Sequence, residues 1–544
     1  MKMTRSEKEI QIDLLKKYCK PIVHMRQEFQ NTRFGLIFGA GIGRQFGFPK
    51  WDDLVIGIAK HEKINRTDLI NDKDNTLSSQ LLFQHYRAQQ ISENHSQVEN
   101  PYNELEIKIK TGWTSIVSDV LYRNVPQDNE GFKKCDKYIN NYLNIMKNQV
   151  TVNFNFDDTL ERLLYITKSD KELRGYKSVC SEHIPRIQNT SIVYHPNGFL
   201  PSITNEKPSR DLIFLEDSFQ DQLISSILGQ YSFLVNHLSQ VTCLFIGHSL
   251  SDAIVKYLLR HNAIHNPGQY HYFVHYIESG LNGTDIDRQT IFNVNFDVYN
   301  LITLFLNDEE ISALGILLNI DEKNFNWLVE QANGYKTYKY YITGPVAVGK
   351  STALSHYKNL STYEEWVEPL MKEMEKDPSL VESEKIKLID NWVADQWAIK
   401  NAMINQTASG IYVIDRCPLD AFAFTKNHEW KEKAKLLRSK INPGRSSIKL
   451  CPGHIIFLKG DPEILAVRAI ATHRKTTKEK LEVQQNKLAF VVSRFNDGVS
   501  VIDIREKSIS QVVKEVAKIV HENEYTEAQM DKVLKQFEKG KFDV

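Results

Sequence analysis

Apolar residues in this chain fall in short dense runs, separated by longer stretches in which they recur every three or four positions. Between about residues 33 and 308 the runs are RFGLIF, QVTVNFNFD, SIVYHPNGFL, VTCLFIGHSL, YHYFVHYIE and NVNFDVYNL. A run of four to eight apolar residues bounded by turn formers suits a buried strand, and helical spacing between runs supplies crossovers. The rhythm therefore predicts an α/β fold with a doubly wound, Rossmann-type parallel sheet. The polar stretch at about 68–148 interrupts the series with helical spacing and few β signals, and is predicted as a largely helical insertion. A second series begins near Tyr338, with YKYYIT, YEEWVE, GIYVID, HIIFLKG and VSVIDI as strands. Its roughly 200 residues suffice for one more α/β domain. Residues 311–337 read as a helical connection with Gly334 near its end, so the expected division is 1–310, 311–337 and 338–544. The C-terminal YTEAQMDKVLKQFEKGKFDV reads as a charged, exposed helix that frays.

Composition narrows the classes. A chain of 544 residues is too long for a single core. With 68 basic and 68 acidic residues, no net field gathers nucleic acid over the whole surface. The charged start MKMTRSEKEIQIDLLKKYCK lacks the apolar core of a signal peptide, and no run of about 18 apolar residues follows it. A cytoplasmic protein without a membrane span is expected, assembled as a homo-oligomer. Six cysteines lie far apart with no C-x-x-C pair, which encodes neither a disulfide framework nor a cysteine zinc module.

Two glycine loops carry the candidate chemistry: LIFGAGIGRQFGFPKW at 36–51 and YYITGPVAVGKSTAL at 340–354. Each follows a strand-like run and opens a helical pattern, which aims backbone N–H groups and a helix dipole at a phosphate. By itself the first loop is no more than a tight turn, but three further segments accompany it: FNFDDTLE, YHPNGFLP and GHSLSD. In this order, over roughly 33–305, the four resemble the sirtuin-like NAD-binding family, in particular its bacterial antiviral branch. The resemblance implies that Gly39, Ala40 and Gly41 hold the dinucleotide, that Asn155 and Asp157 reach the nicotinamide ribose, and that Gly247 and Ser249 contact the adenosine half. Cleaving the nicotinamide bond passes through an oxocarbenium-like cation, so the site needs groups that position water and ribose hydroxyls around developing positive charge. A buried Asn amide does both without titrating. The alternative for Asn155 is a satisfied turn at a strand end, with capping left to Asp157 or Asp158. The family's catalytic histidine precedes the glycine that corresponds to Gly198; here that position is Asn197, and His195 lies two residues earlier. Either His195 supplies the imidazole or the site works without one. Deacylases of this family carry a four-cysteine zinc module, absent here, so water is the expected acceptor and an NAD hydrolase of antiphage type the expected activity. An NAD-dependent protein deacylase, or a binding module that has lost turnover, are the alternatives.

GPVAVGKST satisfies G-x-x-x-x-G-K-[ST] after a strand, with Gly344, Gly349 and Thr352 in the nucleotide-binding loop, Lys350 reaching the β- and γ-phosphates of ATP, and Ser351 the magnesium ion. Asp415 and Arg416 end the run GIYVID, where a carboxylate can order Mg2+ or accept a proton and a guanidinium can hold a phosphate. Together with Asp461-Pro462, Arg468 and Arg474, they resemble the thymidylate kinase and deoxynucleoside kinase family over roughly 338–508. The resemblance implies an ATP-dependent kinase with a nucleoside or nucleotide as substrate. Gln396 falls where these kinases read the base, and Glu368-Pro369 matches their Glu-Pro segment. The basic stretch 426–449 reads as a solvated helix, or as a surface that meets a nucleic-acid end, which keeps a polynucleotide end kinase as the alternative.

Overall fold

The computed structural model describes residues 6–71, 74–94, 101–147, 149–168, 172, 175–180, 190–202, 208–209, 212–227, 231–278, 285–368, 381–442, 448–474 and 476–540. Two compact units divide the chain: Met1–Tyr18, Glu28–His265 and Tyr270–Ala332 form one, and Cys19–Gln27, Asn266–Gln269 and Asn333–Val544 the other. No described helix is long and apolar enough to cross a membrane.

The first unit is built on seven parallel strands: β1 Phe34–Phe38, β2 Val150–Asn153, β3 Tyr176–Val179, β4 Ser191–Tyr194, β5 Thr242–Ile246, β6 His271–Tyr276 and β7 Leu301–Leu306. They lie in the order β3-β4-β2-β1-β5-β6-β7. Every residue of β1, β5 and β7 is buried, as expected for strands covered on both faces. Strand order reverses at β1, which pairs with β2 on one side and β5 on the other, Phe38 facing Asn153 and Ile246. A crevice beyond the carboxyl ends of these strands is where such sheets bind ligands. The expected insertion is helical among its described residues, with helices Asn75–Asn94, Pro101–Leu121 and Asn129–Cys135.

Two sequence expectations fail here. NVNFDVYNL is not a strand: it closes the helix Asp285–Tyr299, and the strand follows as β7. Phe292 and Phe296, four apart and stacked, show the helical period that an alternating reading overrode. The short edge strand β3, with only Val179 of its four residues buried, left no apolar run to find. Residues expected to connect the domains form helices Asp308–Asn319 and Glu322–Gln331 within the first unit. The former is capped by a reciprocal Asn307–Glu310 box and buries Ile311, Leu314, Leu317 and Leu318.

The second unit holds β8 Thr337–Thr343, β9 Ser361–Tyr363, β10 Gly410–Asp415, β11 His454–Lys459 and β12 Val499–Asp503, all parallel, in the order β12-β11-β8-β10-β9. Counted from β8, that is 2-3-1-4-5 from the β9 edge. YEEWVE is not a strand. Pairing stops at Tyr363, and the amides of Val367 and Glu368 turn to the Gln396 side chain instead. The C-terminal helix is not the frayed, exposed element expected from its charge. Helix Met530–Glu538 buries Met530, Val533, Leu534 and Phe537. Their i, i+3, i+4, i+7 spacing makes one apolar stripe, and Phe537 packs on Trp430 and Phe422 at 5.2 and 4.9 Å between ring centroids. Truncating this anchor, Phe537→Ala, is expected to destabilise the second unit by about 3–5 kcal/mol, read as an earlier transition in chemical denaturation. A transition unchanged from wild type would return this helix to a peripheral role.

Candidate functional site

Three glycines let the ends of β1 and β5 touch. The Gly39 amide donates to Ile246 O at 2.9 Å and the Gly41 amide to Gly247 O at 2.8 Å, and the chain then turns into a short helix at Ala40–Phe46. A Cβ at Gly41 would lie 2.9 Å from both Cα and O of Gly247, and one at Gly39 would lie 2.8 Å from Gly247 O. Gly247 itself has φ +79, a conformation that glycine adopts without steric penalty. The Gly39 and Gly41 amides are thus committed to β5. Beyond it, His248 is half-buried and its pKa pushed down to about 4 by desolvation, while Ser249 is exposed and shares a 2.6 Å hydrogen bond with Ser251.

Asn155, just past β2, is buried and its Nδ2 donates to Gly39 O at 3.1 Å, which ties it to the glycine loop. Asp157 is buried and its Oδ1 accepts from the Thr159 amide at 3.0 Å. Burial raises its pKa to about 6, opposed by the Thr159 hydrogen bonds. Asp158 instead takes the Tyr122 hydroxyl at 3.0 Å and the Ser202 amide at 2.7 Å. The segment after β4 closes over this turn. His195 is fully buried, its Nδ1 3.0 Å from Asn155 O and its Nε2 2.9 Å from Glu161 Oε1. Burial works against its charge, but the Glu161 carboxylate outweighs it and the pKa rises. Asn197 is buried too, donating to Phe154 O at 3.0 Å and accepting from Gln222 at 3.1 Å. Both side chains therefore face protein atoms. Glu161 was not singled out in the sequence; its signal is a carboxylate on the buried first turn of helix Thr159–Thr167.

In the second unit the P-loop turns through Gly344 (φ +155), Ala347 (φ +64) and Gly349 (φ +98) into the helix Lys350–Leu354. Lys350 is buried and folds back, its Nζ donating to Gly344 O at 2.8 Å and Pro345 O at 3.2 Å. Desolvation, and then Arg416, lower its pKa to about 8. Ser351 donates to Asp415 Oδ2 at 3.0 Å, while Asp415 Oδ1 is buried without a hydrogen-bond partner. Thr352 is exposed. Arg416, at φ +69, pairs with Glu365 at 2.6 Å and lies 5.6 Å over the Phe424 ring.

Three groups missing from the sequence reading complete this cluster. Asp420, fixed by Thr343 at 2.5 Å, keeps its other oxygen buried without a hydrogen bond, 4.0 Å from Arg416 Nη1, and burial raises its pKa to about 6 against the pull of Arg416. Lys400 donates to Glu364 O at 2.5 Å and Asp415 O at 2.7 Å, strapping the end of β10 to the loop after β9. That loop also supplies Glu365. Lys400 stands one turn beyond Gln396 on helix Glu382–Asn405, a spacing that signals a shared face. Gln396 is 2% exposed, its Oε1 accepts from the Val367 and Glu368 amides and its Nε2 donates to Glu368 Oε2, so its amide is turned toward the protein. Pro369 lies outside the described residues. Arg468 and Arg474 are exposed, on and just after helix Pro462–Ala471.

In the basic stretch, helix Trp430–Ile441 buries Trp430, Ala434, Leu437 and Ile441. Its Lys433, Lys435, Arg438 and Lys440 each pair with a carboxylate. Residues 443–447 lie outside the described part.

Residues 149–299 match the family model of the SIR2-like domain. No curated protein matches the chain. Among solved structures, a deoxyadenosine kinase from M. mycoides with products dCMP and a flexible dCDP bound is similar at 15% identity, over 33% of this chain and 95% of that one, with a TM-score of 0.25. NadR protein in complex with NAD and AMP-PNP is similar at 12% identity, over 69% of this chain and 88% of that one, with a TM-score of 0.26. Residues 149–299 are thus similar to a SIR2-like domain, and a parallel α/β unit with a P-loop follows in sequence.

Proposed function

We propose that the first unit binds NAD and hydrolyses its nicotinamide bond, and that the second is an ATP-dependent nucleoside or nucleotide kinase-like domain that controls it, as conditional NAD depletion in antiviral defence requires. The observation that carries the reading is Asn155, a buried amide tied to Gly39 O beyond the ends of β1 and β2, where strand order reverses. As the C–N bond to nicotinamide breaks, its electrons leave with the ring and positive charge develops on the ribose. Water then adds to that carbon and loses a proton, giving ADP-ribose, nicotinamide and a proton. A late, strongly dissociative step needs positioned acceptors more than a strong base. Asn155 Oδ1 is suited to hold the water or a ribose hydroxyl, and an ionised Asp157 to oppose the cation. A second reading, NAD binding without turnover, is favoured by the inward-facing His195 and Asn197.

In the second unit, the Ser351 hydroxyl and the buried, unpartnered Asp415 Oδ1 are hard oxygen donors that fit Mg2+. When bound, that ion would neutralise charge on the transferring phosphoryl group. Lys350 would leave two carbonyls for phosphate oxygens, and Arg416 is placed to meet a phosphate beside Glu365.

Asn155→Ala is expected to leave the fold intact and lower nicotinamide release about 10²–10³-fold, the scale of one preorganised polar group; undiminished release rejects its role. Release should also fall on the acid side of about pH 6, where Asp157 protonates. Since burial disfavours its ionised form, the same group makes the folded state relatively more stable as pH drops from 6 toward 4. In Asp157→Asn the acid limb should disappear along with most activity, and an unshifted limb would assign it to another group. For the second unit, Lys350→Ala should abolish transfer from ATP to any member of a panel of nucleosides, nucleoside monophosphates and 5′-hydroxyl oligonucleotides. Phosphorylation of oligonucleotides alone would favour the end kinase. Nicotinamide release should respond to ATP and magnesium in wild type and not in Lys350→Ala; identical rates in both would remove the control.

A further inference from the structure

We infer that Glu161 and His195 form a buried clamp that sets the direction of the Asn155 side chain, so that Glu161 is a positioning residue. The inference rests on Asn155 being the group that works at the nicotinamide bond. Three consecutive carbonyls beyond β2 are each held by the segment that follows β4. Phe154 O accepts from Asn197 Nδ2 at 3.0 Å, Asn155 O lies 3.0 Å from His195 Nδ1, and Phe156 O accepts from the Leu200 amide at 2.7 Å. With its main chain pinned on both sides and at its own carbonyl, Asn155 has few ways to turn, and its Nδ2 meets Gly39 O. Two of the three holds are amides with fixed donors. The middle one depends on which ring nitrogen carries a proton.

A carbonyl oxygen only accepts, so the hold on Asn155 O requires a proton on Nδ1. Glu161 holds the other edge of the ring. Its Oε1 faces Nε2 at 2.9 Å and also accepts from the Ser178 hydroxyl of β3 at 2.8 Å. If the carboxylate is ionised, both ring nitrogens donate; if it is protonated, it donates to Nε2 and the remaining ring proton sits on Nδ1. Either way Nδ1–H points at Asn155 O. Without Glu161 the ring, which is fully buried and packs 4.4 Å from the Phe199 ring between centroids, keeps the Asn155 carbonyl at Nδ1 but loses the hold on its Nε2 edge. The imidazole is then free to tilt, and the Asn155 carbonyl it holds can move with it. Groups that orient the side chain next to the reacting one typically change activity by about 10–100-fold when removed.

The test pairs kinetics with a spectroscopic reading that does not depend on turnover. Glu161→Ala should lower kcat for nicotinamide release by about 10–100-fold with KM for NAD unchanged. Glu161→Gln should restore it, because an amide N–H2 in place of Oε1 can donate one hydrogen to Nε2 and the other to the Ser178 hydroxyl oxygen. In 15N-histidine-labelled protein, the His195 ring should carry a proton on Nδ1 in wild type and in Glu161→Gln, and that proton should exchange with solvent faster in Glu161→Ala, where the ring is no longer held at Nε2. Full kcat in Glu161→Ala, or a wild-type ring without the Nδ1 proton, overturns the clamp. If Glu161→Ala does not fold, Glu161→Gln and the wild-type spectrum decide. Wild-type protein that releases no nicotinamide while showing the Nδ1 proton defeats the NAD hydrolase reading alone.

Discussion

The first unit depends on a place where side chains are missing. At the carboxyl ends of β1 and β5, Gly39, Gly41 and Gly247 bring backbone against backbone so closely that any Cβ would lie under 3.0 Å from a main-chain atom. Overpacking of this kind cannot be relieved by turning a rotamer, because the neighbour is backbone. The contact fixes the loop after β1 relative to β5 and leaves Gly39 O as the acceptor for Asn155. The site is therefore indexed to the sheet: β1 and β5 set Gly39, Gly39 sets Asn155 Nδ2, and the segment after β4 sets the Asn155 main chain.

Both units then face one problem, which is keeping carboxylates at the ends of buried strands. Leaving a buried acceptor without a partner costs about 1–3 kcal/mol, and more when it is charged. Asp158 avoids this through Tyr122 and Ser202, and Glu161 half avoids it, with Oε1 doubly engaged and Oε2 unpartnered. Asp415 Oδ1 and Asp420 Oδ2 do not avoid it. Their unmet valence lies beside Lys350 and Arg416, in the part of the second unit where a phosphate and its counterion would supply partners. On the proposed reading such groups hold affinity for the ligand in reserve at that point.

Much of this was legible. Parallel α/β architecture, both glycine loops and the strand ends carrying Asn155, Asp157, Asp415 and Arg416 followed from apolar runs bounded by turn residues. What escaped was decided by tertiary packing. NVNFDVYNL alternates like a strand, yet Phe296, four residues after Phe292, is buried against Tyr270 in a helix. The C-terminal segment was judged by its charge, whereas four apolar residues at helical spacing settle its burial. Glu161, Lys400 and Asp420 carry no motif. Each is recognised only by what it faces, since a carboxylate or ammonium on a helix reads as a solvated face until the partner atom is known.

The inward-facing His195 and Asn197 bear on chemistry as well as on fold. A reaction whose barrier is charge separation, on the proposed reading, gains little from an imidazole that removes a proton late, and much from a rigid amide and a carboxylate already in position. Rigidity is what the turn beyond β2 supplies, with three successive carbonyls held and one side chain tied to the neighbouring loop. The imidazole still contributes, but by fixing a peptide. An Asn at position 197 fits that arrangement better than a second imidazole would, because its amide donates to Phe154 O and accepts from Gln222 in any protonation state of its surroundings. On the proposed reading the acid limb of activity falls to Asp157, whose carboxyl burial pushes up to about 6, while the Glu161 carboxylate holds the His195 pKa up.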